Sequence, residues 1–143
     1  MKQAGFVALI TFFLLLTPFS AIDGVSQENT AAKVKQSNPV EVYYFHLSRR
    51  CMTCQTVEKV AEEAVKENFS KELERGDVVF KSVNLEEKAN KDLMKKLKVS
   101  GQSLLIVDGK EKVDITDKGF LYAVNEPQKL KSEIKSQIGK FLN

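Results

Sequence analysis

A chain of 143 residues, 43% hydrophobic and 29% charged, has the length of one domain and enough apolar mass to bury a core. Its 22 Lys and Arg against 19 Asp and Glu leave a net charge of +3, interspersed rather than blocked, which argues against a nucleic-acid partner. The only cysteines are Cys51 and Cys54 and the only histidine is His46, so a four-ligand structural zinc site within one chain would need carboxylates beside thiolates.

The N-terminal stretch MKQAGFVALITFFLLLTPFSA sets Lys2 ahead of an apolar core, Phe6 to Leu16, and then Thr17, Pro18, Ser20 and Ala21. This is the layout of a secretory signal peptide. No clean small-x-small cleavage site is present, and Ser26 with Gly24 fits better than Ala21 with Phe19. The uncharged run from Gln3 to Ile22 is 20 residues, long enough to span a bilayer if left uncut. Residues 1–26 are therefore expected to be a signal peptide or an N-terminal membrane anchor, with export to a periplasmic or extracellular location. Residues 27–38 are polar and aperiodic and read as a linker. The folded domain is expected over 39–143.

That domain opens with VEVYYFHL (Val40 to Leu47), a β-branched and aromatic run without alternation, as expected of a central strand buried on both faces. Val57, Val60, Ala61, Ala64, Val65 and Phe69 then recur at helical spacing, predicting one helix from Cys51 to about Phe69. The segment ELERGD should break it, with Gly76 as the stop. A second strand is expected over Val78 to Leu85. A short helix follows within EEKANKDLMKKLKV, with Leu93, Met94 and Leu97 turned inward. SLLIV (Ser103 to Val107) reads as a strand and DGK as a turn. EKVDIT pairs back as a hairpin. The last helix should begin near NEPQKL, with Asn125 as cap and Pro127 in the first turn. Leu130, Ile134, Ile138 and Phe141 would share one of its faces. The order βαβαββα predicts an α/β fold with one central mixed sheet and helices on both faces.

The chemistry concentrates in FHLSRRCMTCQTVEKV (Phe45 to Val60). A cysteine opening a helix lies near unpaired backbone N–H groups and the positive end of the helix dipole, and both stabilise a thiolate. Arg49 and Arg50 would add positive charge, so Arg50 is a candidate for thiolate stabilisation. Cys54 lies one turn further in and should be shielded and less acidic. An exposed acidic sulfur beside a buried resolving one is what disulfide exchange requires. A permanent structural disulfide is a weaker reading, because closing so small a loop removes little chain entropy. Binding of a thiophilic metal or metalloid by Cys51 and Cys54, with ligands shared between two chains, also remains open. So does a non-catalytic subunit of a membrane complex. His46 either satisfies a local hydrogen bond at the strand end or serves as a proton relay beside the thiols.

Strand, CxxC, helix, strand, helix, VSGQSLLIVDGK, hairpin and helix together resemble thioredoxin over about residues 38–142. The resemblance implies a thioredoxin-like fold, with Cys51 as nucleophile and Cys54 as resolving cysteine. It implies a redox-active Cys51–Cys54 disulfide with no other cofactor, and a substrate loop at Gly101, Gln102 and Ser103. A protein or small-molecule disulfide would be the substrate, and a DsbD- or CcdA-type membrane reductase the electron donor. The narrower pattern Phe45, His46, Arg50, Cys51, Thr53, Cys54 is similar to small exported bacterial proteins described as nitrophenyl-compound nitroreductase or arsenical-resistance subunits. A nitroreductase normally needs a flavin, and the chain carries no nucleotide-binding signature. The chain departs from thioredoxin at four places. Arg50 replaces the tryptophan before the first cysteine. Met52-Thr53 replaces Gly-Pro. Ser103 stands where the cis-proline is found, and the buried acid has no clear counterpart.

Overall fold

The computed structural model describes residues 38–109 and 111–143. The expected signal or anchor segment, 1–26, lies outside the described residues. So does the linker, 27–38, apart from Asn38.

Among the described residues there are four strands and five α-helices. They run β1 (Val40–His46), α1 (Met52–Asn68), α2 (Ser70–Arg75), β2 (Val78–Asn84), α3 (Lys91–Leu97), β3 (Ser103–Asp108), β4 (Glu111–Asp114), α4 (Thr116–Tyr122) and α5 (Pro127–Leu142). A 3-10 turn at Lys88–Asn90 leads into α3. The strands form one mixed sheet in the order β2-β1-β3-β4. β1 pairs parallel with β2, and β3 is antiparallel to both β1 and β4. The parallel β1–β2 pair needs a crossover, and α1 with α2 supplies it.

The unalternating apolar run of β1 is explained by its place inside the sheet. Val40, Val42 and Tyr44 face a core built with Leu104 and Ile106 of β3, the inner stripe of α1, and Leu130, Ile134 and Ile138 of α5. Tyr43 and Phe45 face the opposite side, where Val83, Leu105, Val107 and Leu97 of α3 form a second core. Both sheet faces are thus covered by helices, as expected.

Three details differ from expectation. The first helix ends at Asn68, close to the expected Phe69, but ELER lies in a further helix and not in a break. Phe69 leaves the helical region at φ −134° and ψ 35°, and the chain resumes as α2 until Gly76. Gly76 then closes it at φ 77°, a conformation in which a side chain is strained. The expected strand EKVDIT stops at Asp114, because Thr116 begins α4, a helix the sequence reading did not anticipate. Finally, Glu126 rather than Asn125 holds the cap position of α5, with Pro127 in the first turn.

Candidate functional site

The two cysteines sit where β1 hands over to α1. Beyond His46 the chain runs through Leu47–Arg50 before α1 begins, and side-chain and backbone groups from the β2 end tie this loop down. The Ser48 N–H donates to Glu86 at 2.7 Å, the Asn84 amide donates to Ser48 Oγ at 2.9 Å, and the Leu85 N–H donates to the His46 carbonyl at 2.8 Å. The ties place Cys51 at the residue preceding the helix, with extended backbone at φ −74° and ψ 169°.

Cys51 is exposed and Cys54 is buried, at 5% exposure. Their Sγ atoms lie 2.9 Å apart as free thiols. The Cys51 sulfur makes no regular capping hydrogen bond, yet it faces the backbone N–H groups of Cys54 and Thr53. Its pKa is lowered, first by the Cys54 thiol and then by these N–H groups. The Cys54 pKa is raised, first by burial and then by its partner sulfur. The two thiols therefore shift in opposite directions, with the N–H groups of the helix start contributing as expected and the Cys54 thiol acting ahead of them.

Arg50 is the expected stabiliser of the thiolate, and the structure places its guanidinium against a carboxylate. Its guanidinium is engaged by the Glu58 carboxylate on α1, which also accepts from Ser82 Oγ on β2. Arg50 thus clamps the loop to the helix, while the helix start and the second thiol lower the Cys51 pKa. Arg49 is exposed.

Tyr44 is a residue that sequence reasoning missed. It is fully buried on the α1 face of β1, and its hydroxyl donates to the Cys54 carbonyl at 2.8 Å. A buried tyrosine keeps its polar tip paired, so an aromatic position in a strand leading to CxxC was the available signal. Burial pushes the Tyr44 hydroxyl well above the usual phenol range, so it acts as a fixed donor. His46 stacks on Tyr44, with ring centres 6.1 Å apart. Its Nδ1 lies 2.9 Å from the Leu47 carbonyl, which can only accept, so Nδ1 carries a proton. Among the described residues no hydrogen bond joins His46 to either sulfur; the bond it makes is the local one.

The expected substrate loop precedes β3. Ser103 pairs with Phe45 of β1, and its hydroxyl donates to the Gly101 carbonyl at 2.9 Å. Gln102 Oε1 is buried without a hydrogen-bond partner. Beside Cys51, Met52 is 77% exposed and Leu47 is also open. Among the described residues no three His, Cys, Asp or Glu side chains converge, so a metal held here would have two thiolate ligands from this chain.

No family model matches the chain, and no curated protein matches it. A solved structure described as a malarial protein is similar at 17% identity with a TM-score of 0.39, over 62% of this chain and 97% of that one. At that score the likeness fixes neither fold family nor function. Among the described residues no helix is long and apolar enough to cross a membrane.

Proposed function

We propose that the protein is an exported thiol–disulfide oxidoreductase with a thioredoxin-like fold. The observation that carries this reading is the opposed tuning of two neighbouring thiols: exposed Cys51 with a lowered pKa, buried Cys54 with a raised one. The strand–CxxC–helix order and the β2-β1-β3-β4 sheet support the fold assignment. The N-terminal apolar segment supports export.

Cys51, as thiolate, attacks one sulfur of a substrate disulfide. The bond between the substrate sulfurs breaks, and the leaving sulfur takes a proton from water. Cys54 then gives its proton to solvent, attacks Cys51 Sγ and expels the second substrate sulfur as a thiolate, which is protonated in turn. The protein passes from dithiol to disulfide while the substrate gains two electrons and two protons. No other cofactor is required for that exchange. Outside the cytoplasm the electrons must be resupplied across the membrane, and a DsbD- or CcdA-type reductase is the matching donor class. The low net charge of +3 argues against nucleic acid as a partner.

Trapping tests this directly. A Cys54→Ala variant should accumulate mixed disulfides through Cys51, and the intact protein should reduce insulin above background. In the intact protein, iodoacetamide should modify Cys51 first, with a midpoint below the free-cysteine value of about 8.5. Absence of adducts together with background insulin reduction would defeat the proposal. Protein purified with free thiols and a bound soft ion would favour metal or metalloid delivery instead.

A further inference from the structure

Arg50 and Glu58 bracket the dithiol along the chain. Arg50 directly precedes Cys51, and Glu58 stands one helical turn beyond Cys54, on the same face of α1. The guanidinium and the carboxylate pair with one another at 24% and 21% side-chain exposure, partly withdrawn from water, where screening is weaker than at an open surface. Ser82 Oγ of β2 donates to the second carboxylate oxygen, so the sheet fixes Glu58 while Glu58 fixes the loop. The other charged groups beside the loop are placed differently. Glu86 accepts from the Ser48 N–H, Arg49 is exposed, and the first turn of α1 holds no acidic residue. Among the described residues no hydrogen bond joins Glu58 to either sulfur; its recorded partners are Arg50 and Ser82.

We infer that Glu58 is a positioning residue that sets the redox poise of the dithiol: by holding the Arg50 guanidinium it withholds a cation from the Cys51 sulfur and keeps the protein the stronger reductant. The inference rests on the dithiol-exchange reading above. An unpaired guanidinium one residue from Cys51 favours the thiolate, because an opposite charge nearby stabilises the ionised form. A more stable thiolate stabilises the dithiol against the disulfide, so the protein gives up its electrons less readily. With its carboxylate partner in place, Arg50 offers little net charge to the sulfur. With that carboxylate neutral, Arg50 is free to turn toward Cys51.

Thiolate absorbance of the full-length reduced protein reads the first ionisation without turnover. Glu58→Gln keeps the shape and removes the charge, and it should lower the Cys51 midpoint by about one pH unit. Glu58→Asp keeps the charge and should stay within about twofold of the unaltered protein. Equilibration with glutathione disulfide should follow: protein dithiol and glutathione disulfide exchange to protein disulfide and two glutathione thiols. The constant for that exchange should fall roughly tenfold in Glu58→Gln, about 30 mV for a two-electron couple. In an Arg50→Gln background, adding Glu58→Gln should change both readings by less than about twofold. A packing role lowers the urea midpoint in Glu58→Gln and leaves the thiol midpoint where it was; an unmoved or raised thiol midpoint would overturn the inference. Equal shifts in both backgrounds would also overturn it, since Glu58 would then act by its own charge and not through Arg50. If the thiol midpoint and the glutathione equilibrium move as expected while insulin reduction and Cys51 trapping stay at background, the oxidoreductase reading fails and the hold of Glu58 on the dithiol stands.

Discussion

Tyr44 and Cys54 show how a single buried hydrogen bond fixes a reactive turn. The Tyr44 hydroxyl satisfies the Cys54 carbonyl from beneath, inside a core that excludes water. Tyr44→Phe removes this second donor to a carbonyl that keeps its place in the α1 ladder, so it should lower unfolding free energy by about 0.5–1.5 kcal/mol in urea titration. The cysteine spacing, the exposed first thiol and the buried second one were all legible in the sequence, because one helical turn separates positions 51 and 54. The role of Arg50 was not. Proximity along the chain suggested that its charge serves Cys51, but Glu58, eight residues on, competes for the guanidinium and wins. Nothing in the sequence marks Glu58 as sitting over Ser82, because that contact depends on how α1 crosses β2.

Elements with long apolar periodicity were readable, and short ones were not. β1, α1 and α5 each carry enough buried positions to announce themselves. Helix α4 spans seven residues, includes Gly119, and offers little stripe to read. It forms because the Asp114 carboxylate accepts from the Thr116 N–H at 3.0 Å, and because Gly119 lets the helix press against Leu104 and Val57. A Cβ at Gly119 would lie 3.3 Å from both side chains, each fully buried. Gly119→Val should therefore destabilise by about 1–3 kcal/mol, read as a lowered urea midpoint. Between α1 and α5, Lys131 bridges Glu63 at 2.9 Å and Glu67 at 2.8 Å. The Lys131 pKa is raised, first by Glu67 and then by Glu63. A raised pKa stabilises the fold fully below the unfolded lysine value of about 10.4, and that stability disappears as pH rises through the folded value. Glu63 is lowered, first by Lys131, so its share is lost as pH falls through its folded value. Lys131→Met should flatten both limbs of a stability–pH curve.

At the scale of the molecule, the site lies where both sheet-covering layers meet the end of β1, so its tuning and the global fold are linked. In the reduced protein the folded Cys51 pKa is below its unfolded value. Its stabilising share grows as pH rises through that folded value and is complete above about 8.5, the unfolded cysteine value. Cys54, with its raised pKa, opposes folding as pH climbs past the same mark. Thermal melts of the reduced protein against Cys51→Ser should show an advantage that increases from acid toward neutral pH. A constant difference would count against the thiol tuning.

The sheet also has margins. Among the described residues, β2 and β4 each have one neighbour, and such borders invite further strands from other chains. On β4 only Val113 is apolar, set among Glu111, Lys112 and Asp114, and the strand is four residues long. On β2, Lys81 and Ser82 are exposed, and the Lys81 ammonium is held 2.5 Å from Glu41. Charge at both borders makes a cross-chain ladder costly, so intermolecular stacking into fibrils is disfavoured even at high concentration.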